Sequence, residues 1–177
     1  MKRRLIEEIV VRPAPRDPRR AIVQAGHLTF PAALGRSGRT SRKREGDGAT
    51  PIGAMRILYG YYRRDRIAGP LPTSLPMTQI DDTMLWCDAP AHAKYNRPVQ
   101  APFTPSHEEL KREDGLYDIC LVMDWNVTSR RRNLGSAIFF HCARPGYTPT
   151  QGCVAIDIAD MRRLLPLIGQ ETTVRVM

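Results

Sequence analysis

Two short apolar runs constrain this chain more than anything else in it. Ile138-Phe139-Phe140-His141-Cys142 reads as a strand that delivers a histidine, and Gly152-Cys153-Val154-Ala155-Ile156 opens on a glycine–cysteine pair and reads as a second strand. Between them lies a loop containing Pro145, Gly146, Tyr147 and Pro149, residues that turn a chain. Two adjacent strand ends joined by one loop can hold a histidine and a cysteine within hydrogen-bond reach. That pairing matters because the thiolate is the nucleophile, and a free cysteine with a pKa of ~8.5 is mostly protonated at neutral pH unless a base is near. Gly152 allows a tight turn, which would point the N–H groups of Gly152 and Cys153 at a developing oxyanion. An inert core cysteine near a hydrogen-bonded core histidine gives the same spacing, so the surrounding residues have to decide.

The rest of the chain reads as many short strands. Ile6–Val11 is β-branched, and Ala21–Gln24 with His27–Phe30 flank Ala25-Gly26 as a hairpin. The loop 36–49 is polar and glycine-punctuated; Ile52–Tyr62 follows as a long strand. Residues 63–80 hold three prolines and are too broken for regular structure, Met84–Cys87 is a short strand, and Pro90–Pro105 an irregular loop. Ser106 with Glu109 has the spacing of a capping box, which predicts a short helix over His107–Arg112. Leu116–Trp125, Ala137–Cys142 and Cys153–Ile156 are strands. Asp157 caps a helix ending near 168 with Met161, Leu164, Leu165 and Ile168 on one face, Gly169 ends it, and Thr172–Val176 is a final strand. With no βαβ alternation, no repeat and no glycine-rich phosphate loop, the pattern predicts a mainly β chain: an antiparallel β-sandwich with a few short helices.

A length of 177 residues suits one domain spanning 1–177, in which residues 1–19 form an N-terminal extension or edge strand. Fifteen prolines, thirteen glycines and 7% aromatics favour turns and short strands over long helices. Cys87, Cys120, Cys142 and Cys153 show no C-x-x-C spacing and pair with no histidine in a zinc-like pattern, so no metal is expected. Cys120 and Cys142 read as core. The start Met1-Lys2-Arg3-Arg4 is basic, but Glu7 and Glu8 interrupt the apolar residues after it, so it is not read as a secretory leader, and no run is long enough to span a membrane.

Charge is unevenly spread. Residues 1–66 carry 16 Lys/Arg against 6 Asp/Glu, whereas residues 67–177 carry 11 against 12. Arg36, Arg39, Arg42, Lys43 and Arg44 crowd one loop, and Arg130-Arg131-Arg132 form a second cluster, both read as solvated surface. Such a field attracts anions. No helix-turn-helix, zinc finger or aromatic RNA-binding sheet motif accompanies it, so an anionic polymer other than nucleic acid is the expected partner.

Other chemistry-bearing residues are sparse. His27 reads as an exposed strand histidine and His107 as helix surface. Asp81-Asp82 and Glu108-Glu109 are adjacent pairs that diverge on a strand or helix, which argues against paired-carboxylate glycosidase chemistry. Arg144, on the loop before Cys153, is the best-placed cation for a substrate carboxylate, since guanidinium binds that group in a bidentate way.

The pattern His141-x8-Thr150-Gln151-Gly152-Cys153-Val154 resembles the active-site signature of the YkuD-type L,D-transpeptidases, a histidine followed by a variable loop and [Ser/Thr]-x-Gly-Cys-[Val/Ile]. Many members have a second histidine where this chain has Gln151. Glu45 to Gly53, containing Thr50-Pro51-Ile52-Gly53, is similar to the family's T-P-x-G segment, and Trp86-Cys87-Asp88, Tyr95-Asn96-Arg97 and Arg112–Asp118 resemble the groove walls of a compact proteobacterial branch. The resemblance covers roughly residues 20–177. It implies the β-sandwich fold and a reaction without metal or cofactor. In that reaction Cys153 attacks a peptidoglycan stem peptide, His141 is the base, the Cys142 backbone carbonyl orients the imidazole, and Gly152 and Cys153 supply oxyanion donors. Arg144, Thr150, Gln151, Tyr95, Asn96, Arg97 and His92 are the candidate substrate contacts. A monomer in the periplasm or at the cell wall, acting on stem peptides of an anionic wall polymer, is implied. A thiol carboxypeptidase of the same peptides, and a non-catalytic basic wall- or nucleic-acid-binding domain, remain the alternatives.

Overall fold

The computed structural model describes residues 5–177; Met1–Arg4, the basic start considered as a leader, lies outside them. Strands β1 (Glu8–Ala14), β2 (Asp17–Ala25) and β3 (Leu28–Ala33) form an antiparallel meander. Its inward residues alternate as the pleat requires: Ile9 and Val11, then Ala21, Val23 and Ala25, then Phe30 and Ala32, are buried. The hairpin turn falls on Gly26-His27, where Gly26 has φ 58°, and His27 is exposed. Two-residue strands β4 (Arg39–Thr40) and β5 (Thr50–Pro51) pair in parallel and bracket the polar loop. Next come β6 (Gly53–Tyr62), β7 (Met77–Gln79), β8 (Met84–Cys87), β9 (Arg97–Gln100), β10 (His107–Glu109), β11 (Ile119–Met123), β12 (Phe139–Cys142) and β13 (Val154–Ile156). Helix α1 (Ile158–Leu164) continues as a 3-10 turn over Leu165–Leu167, and β14 (Thr173–Val176) closes the chain.

The architecture is mainly β. Nine strands form one sheet in the order β11-β12-β13-β3-β2-β1-β14-β6-β7, and an added β11–β6 pairing closes it into a barrel-like sandwich. Antiparallel ladders dominate, with β1–β14, β12–β13 and β6–β7 parallel. The N-terminal strand is not an extension or an edge: β1 lies between β2 and β14, with Ile9 and Val11 in the core. Asp157 Oδ1 accepts the Ala159 N–H at 2.8 Å, the cap that starts α1. Gly169 does not end the helix by a left-handed turn, for the 3-10 turn stops at extended Ile168. A side chain at Gly169 would instead lie 2.8 Å from Leu5 and 2.9 Å from Ser74.

Three local expectations fail for one reason, which is sheet pairing beyond the reach of local sequence. His107–Glu109 is a strand, not the first turn of a helix, since it pairs with β8 in the register His107↔Cys87, Glu108↔Trp86, Glu109↔Leu85. Arg97–Gln100, inside the expected irregular loop, pairs with the other side of β8. Pro98 is tolerated because β9 is an edge. Met77–Gln79 adds to β6 within the stretch read as broken.

Strands β11, β12 and β13 are buried on both faces. One face, with Leu121, Phe140, Cys142, Val154 and Ile156, joins the large core under α1. The opposite face, with Cys120, Val122, Phe139 and Cys153, packs under the small sheet β10-β8-β9 through Trp86, Leu110 and Tyr117. Alternation along β12 therefore sends Phe139 and His141 to this second face.

Candidate active site

Register places the two reactive groups. Phe140 is opposite Val154 and His141 opposite Ala155 in the parallel β12–β13 pair. Cys153, one residue before β13, thus shares a face with Phe139 and His141 and lies diagonal to the histidine. Because the strands are parallel, residues 143–153 must run back along the full length of β12. The return is pinned by Thr150 N–H to Leu34 O and Arg36 N–H to Thr150 O, each 2.8 Å, and by Arg20 Nη2 to Gly146 O at 2.6 Å. Gly152 is required at φ 137°, where a Cβ would sit 2.9 Å from Ala49 O.

The Cys153 carbonyl is held by two hydroxyls, Thr150 Oγ1 at 2.8 Å and Thr50 Oγ1 at 3.4 Å. Thr50 also accepts the Gly35 N–H at 2.9 Å. The Thr50-Pro51 segment therefore does more than border the site: it fastens the nucleophile's own backbone. The Gly152 N–H, one of the two expected oxyanion donors, donates to Thr150 Oγ1 at 3.1 Å.

Cys153 is 6% and His141 2% exposed. The Cys153 thiol donates to Ala137 O at 3.2 Å, and its sulfur accepts the Phe139 N–H at 3.3 Å. Burial pushes this thiol up to about 12, against the pull of the Phe139 N–H. His141 Nδ1 lies 2.9 Å from Cys142 O. A carbonyl only accepts, so Nδ1 carries the proton and Nε2 keeps its lone pair. Burial lowers the imidazole to about 4, opposed by that hydrogen bond. Tyr117 packs edge-on against the ring at 5.2 Å. Among the described residues no hydrogen bond joins His141 to Cys153. The resting pair is a neutral thiol and a neutral imidazole facing one groove.

That groove has a volume of about 440 Å³ and is lined by His141, Cys153, Arg144, Thr150 and Gln151, by Asp88, Arg112, Leu116 and Tyr117 from two of the segments expected as groove walls, and by Lys43, Glu108 and Ser136, which the sequence did not point to. One wall carries Arg112 and Arg144, both bonded to Asp114 Oδ2 at 2.7 and 2.8 Å. Arg112 first, and Arg144 with it, hold the Asp114 carboxyl well below the usual range. Asp88 and Glu108 also line the groove, and Arg112 Nη1 donates to Glu108 Oε2 at 3.5 Å. Asp88 Oδ1 is buried with no partner among the described residues, and burial raises Glu108. The adjacent pair Glu108-Glu109 gave no sign in the sequence that Glu108 reaches the groove, because its position depends on the β10–β8 pairing.

Tyr95, Asn96, Arg97 and His92 do not line the groove. Tyr95 donates to Glu45, a groove residue, from behind. Asn96 is fully buried; Arg97 belongs to β9; His92 packs against Phe103 at 5.1 Å. Lys43, read as solvated, is 5% exposed and bonded through Nζ to Asp47. Cys87, Cys120 and Cys142 are free and buried. No group of three or more His, Cys, Asp or Glu among the described residues is placed to hold a metal ion, and no helix is long and apolar enough to cross a membrane.

Residues 8–176 match the YkuD family, described as an L,D-transpeptidase catalytic domain. No curated protein matches the chain. Among solved structures it is similar to Mycobacterium tuberculosis L,D-transpeptidase 1, with a TM-score of 0.40 and 13% identity over 96% of this chain. The chain spans 61% of that protein's length. With a family match that runs from the first core strand to the last, the chain belongs to the YkuD L,D-transpeptidase catalytic-domain family.

Proposed function

We propose that the protein is a peptidoglycan L,D-transpeptidase that cross-links stem peptides through a thioester on Cys153. The observation that carries the reading is the placement of His141 and Cys153 on one face of β12–β13, at one groove, with the imidazole held by the Cys142 carbonyl so that Nε2 is its basic atom. Nε2 takes the thiol proton as the sulfur bonds to the carbonyl carbon at the L-centre of a diamino acid. The oxyanion meets the Cys153 N–H. The C–N bond to the terminal D-amino acid breaks, the leaving nitrogen takes the proton from His141, and a thioester remains. The amine of a second stem then attacks, loses its proton to His141, and the thiolate departs and is reprotonated.

Polarity of the groove supports a zwitterionic diamino acid as the bound residue. Arg144, half exposed beside Asp114, is available to a carboxylate, and Asp88, whose Oδ1 has no partner among the described residues, is available to an ammonium. Action on cell-wall peptides would place the protein outside the cytoplasmic membrane, with the anionic wall as its polymeric partner.

The test is product analysis on tetrapeptide stems combined with mass spectrometry of the enzyme. Cross-linked dimers and a thioester on Cys153 are expected. Trimmed monomers alone would make it a carboxypeptidase with the same nucleophile, and no acylation at Cys153 would sink both enzymatic readings.

A further inference from the structure

Asn96 belongs to no groove wall, yet its side chain is one of the most fully engaged in the molecule. Its Oδ1 accepts from Trp86 Nε1 and from the Ala137 N–H, both at 3.0 Å, and its Nδ2 donates to Trp125 O at 3.1 Å. Its own N–H donates to Cys87 O at 2.8 Å, which ties its backbone to the end of β8. Ala137, the residue it grips, has φ 52°, an uncommon conformation for a residue with a Cβ. In that conformation the Ala137 carbonyl accepts the Cys153 thiol at 3.2 Å, while Phe139 N–H, two residues on, donates to the same sulfur at 3.3 Å. One buried amide thus spans from the small sheet to the backbone turn that touches the nucleophile on both sides.

We propose that Asn96 is a positioning residue for the nucleophile: by holding Ala137 in its left-handed turn, it aims the carbonyl that keeps the Cys153 thiol protonated and oriented until substrate arrives. The inference rests on the reading of Cys153 as nucleophile. A hydrogen bond from a thiol stabilises its neutral form, so the Ala137 contact opposes ionisation and the Phe139 contact favours it. Release of Ala137 removes only the first. His141 on β12, Cys120 on β11, Glu108 on β10, and Tyr117, Arg112 and Lys43 from the flanking loops are the other titratable or charged groups around the sulfur. None of them is altered by a substitution at Asn96.

Asn96 itself has φ 55°, so Asn96→Gly removes the amide without adding backbone strain. The measurement is the pH dependence of iodoacetamide alkylation mapped to Cys153, alongside kcat and KM on a tetrapeptide stem. Asn96→Gly is expected to lower the alkylation midpoint by about half a unit or more, the scale of one modest hydrogen bond. It should also cut kcat roughly ten-fold or more with KM little changed, since misplacing a reacting atom costs rate rather than binding. An unchanged midpoint, or an unchanged kcat, in a folded Asn96→Gly would overturn the proposal. If the glycine variant does not fold, Trp86→Phe, which frees Oδ1 of its indole donor, should give a smaller midpoint shift of the same sign, and no shift overturns the idea. Because the midpoint is read without substrate, it reports on Asn96 even where the wild type fails to acylate, a failure that would instead remove the proposed function.

Discussion

Two neutral partners in a buried site set the behaviour expected of individual residues. Cys153→Ala should abolish turnover in a chain that still folds, because Thr50 and Thr150 still hold the backbone carbonyl, with a modest fall in Tm from the buried Phe139 N–H that loses its partner. A carbapenem adduct should map to Cys153 by mass spectrometry; an adduct on Cys87, Cys120 or Cys142 would contradict the assignment. His141→Ala should slow acylation about a hundred-fold or more, the usual scale for a lost general base. Burial lowers the imidazole to about 4, so the acid limb of kcat/KM should fall near that value and not near ~6.5, where exposed histidines titrate. Stability carries the same sign. Below ~6.5 the unfolded chain takes up a proton at His141 that the folded chain refuses until about 4, so Tm should decline across that window. In His141→Ala the decline should be shallower, and equal slopes in thermal melts would show that His141 is not the group responsible.

At the level of elements, the site and the scaffold separate. Asp157 caps α1, which packs on the large core and away from the groove. Asp157→Ala should therefore cost about 1 kcal/mol in chemical denaturation and leave kcat/KM unchanged. Thr50 sits in the strand that fastens the nucleophile's backbone. Thr50→Val strands the buried Gly35 N–H and frees one hold on the Cys153 carbonyl, so stability should fall by about 1–3 kcal/mol and kcat should drop with it. A Thr50→Val variant as active as wild type would leave Thr150 as the sole hold that matters. The sequence made the Thr-Pro segment recognisable by resemblance, but its hydroxyl's destination depends on β5 and the Cys153 loop meeting, which no local pattern encodes. The capping box at Ser106–Glu109 illustrates the opposite case: a good local signal lost to the β10–β8 ladder, whose burial of Trp86 and Leu110 outweighs a few helical hydrogen bonds.

Across the whole molecule, the two basic clusters turn out to be neighbours. Glu45 N–H donates to Asn133 O at 2.9 Å, which sets the loop bearing Arg42 and Arg44 beside the exposed run Arg130-Arg131-Arg132. Binding to isolated sacculi should weaken with added salt, since exposed charges are screened over a Debye length of ~8 Å at physiological ionic strength. Replacing Arg42 and Arg44 with glutamine should lower sacculus binding in a pull-down while sparing turnover of a small soluble stem peptide. Loss of small-peptide turnover would put these arginines at the groove. Lys43 is excluded from the pair because its ammonium is buried on Asp47 and supports the groove wall.

What the amino-acid sequence by itself determined was the alternation of short apolar runs, and with it a mainly β chain whose β12 and β13 carry a histidine and a cysteine. A period of two assigns His141 and Phe139 to one face without any knowledge of neighbours. Tertiary structure decided the rest. It closed the sheet through β11–β6, placed β1 in its middle, and brought Glu108 to the groove beside Asp88, Arg112 and Tyr117, whose segments the resemblance had already marked as walls. It also withdrew Tyr95, Asn96, Arg97 and His92 from that groove. The reason is physical: strand periodicity is set by bonds within a few residues, whereas strand partners are chosen by burial of whole faces, and a residue's companions at a site depend on those partners.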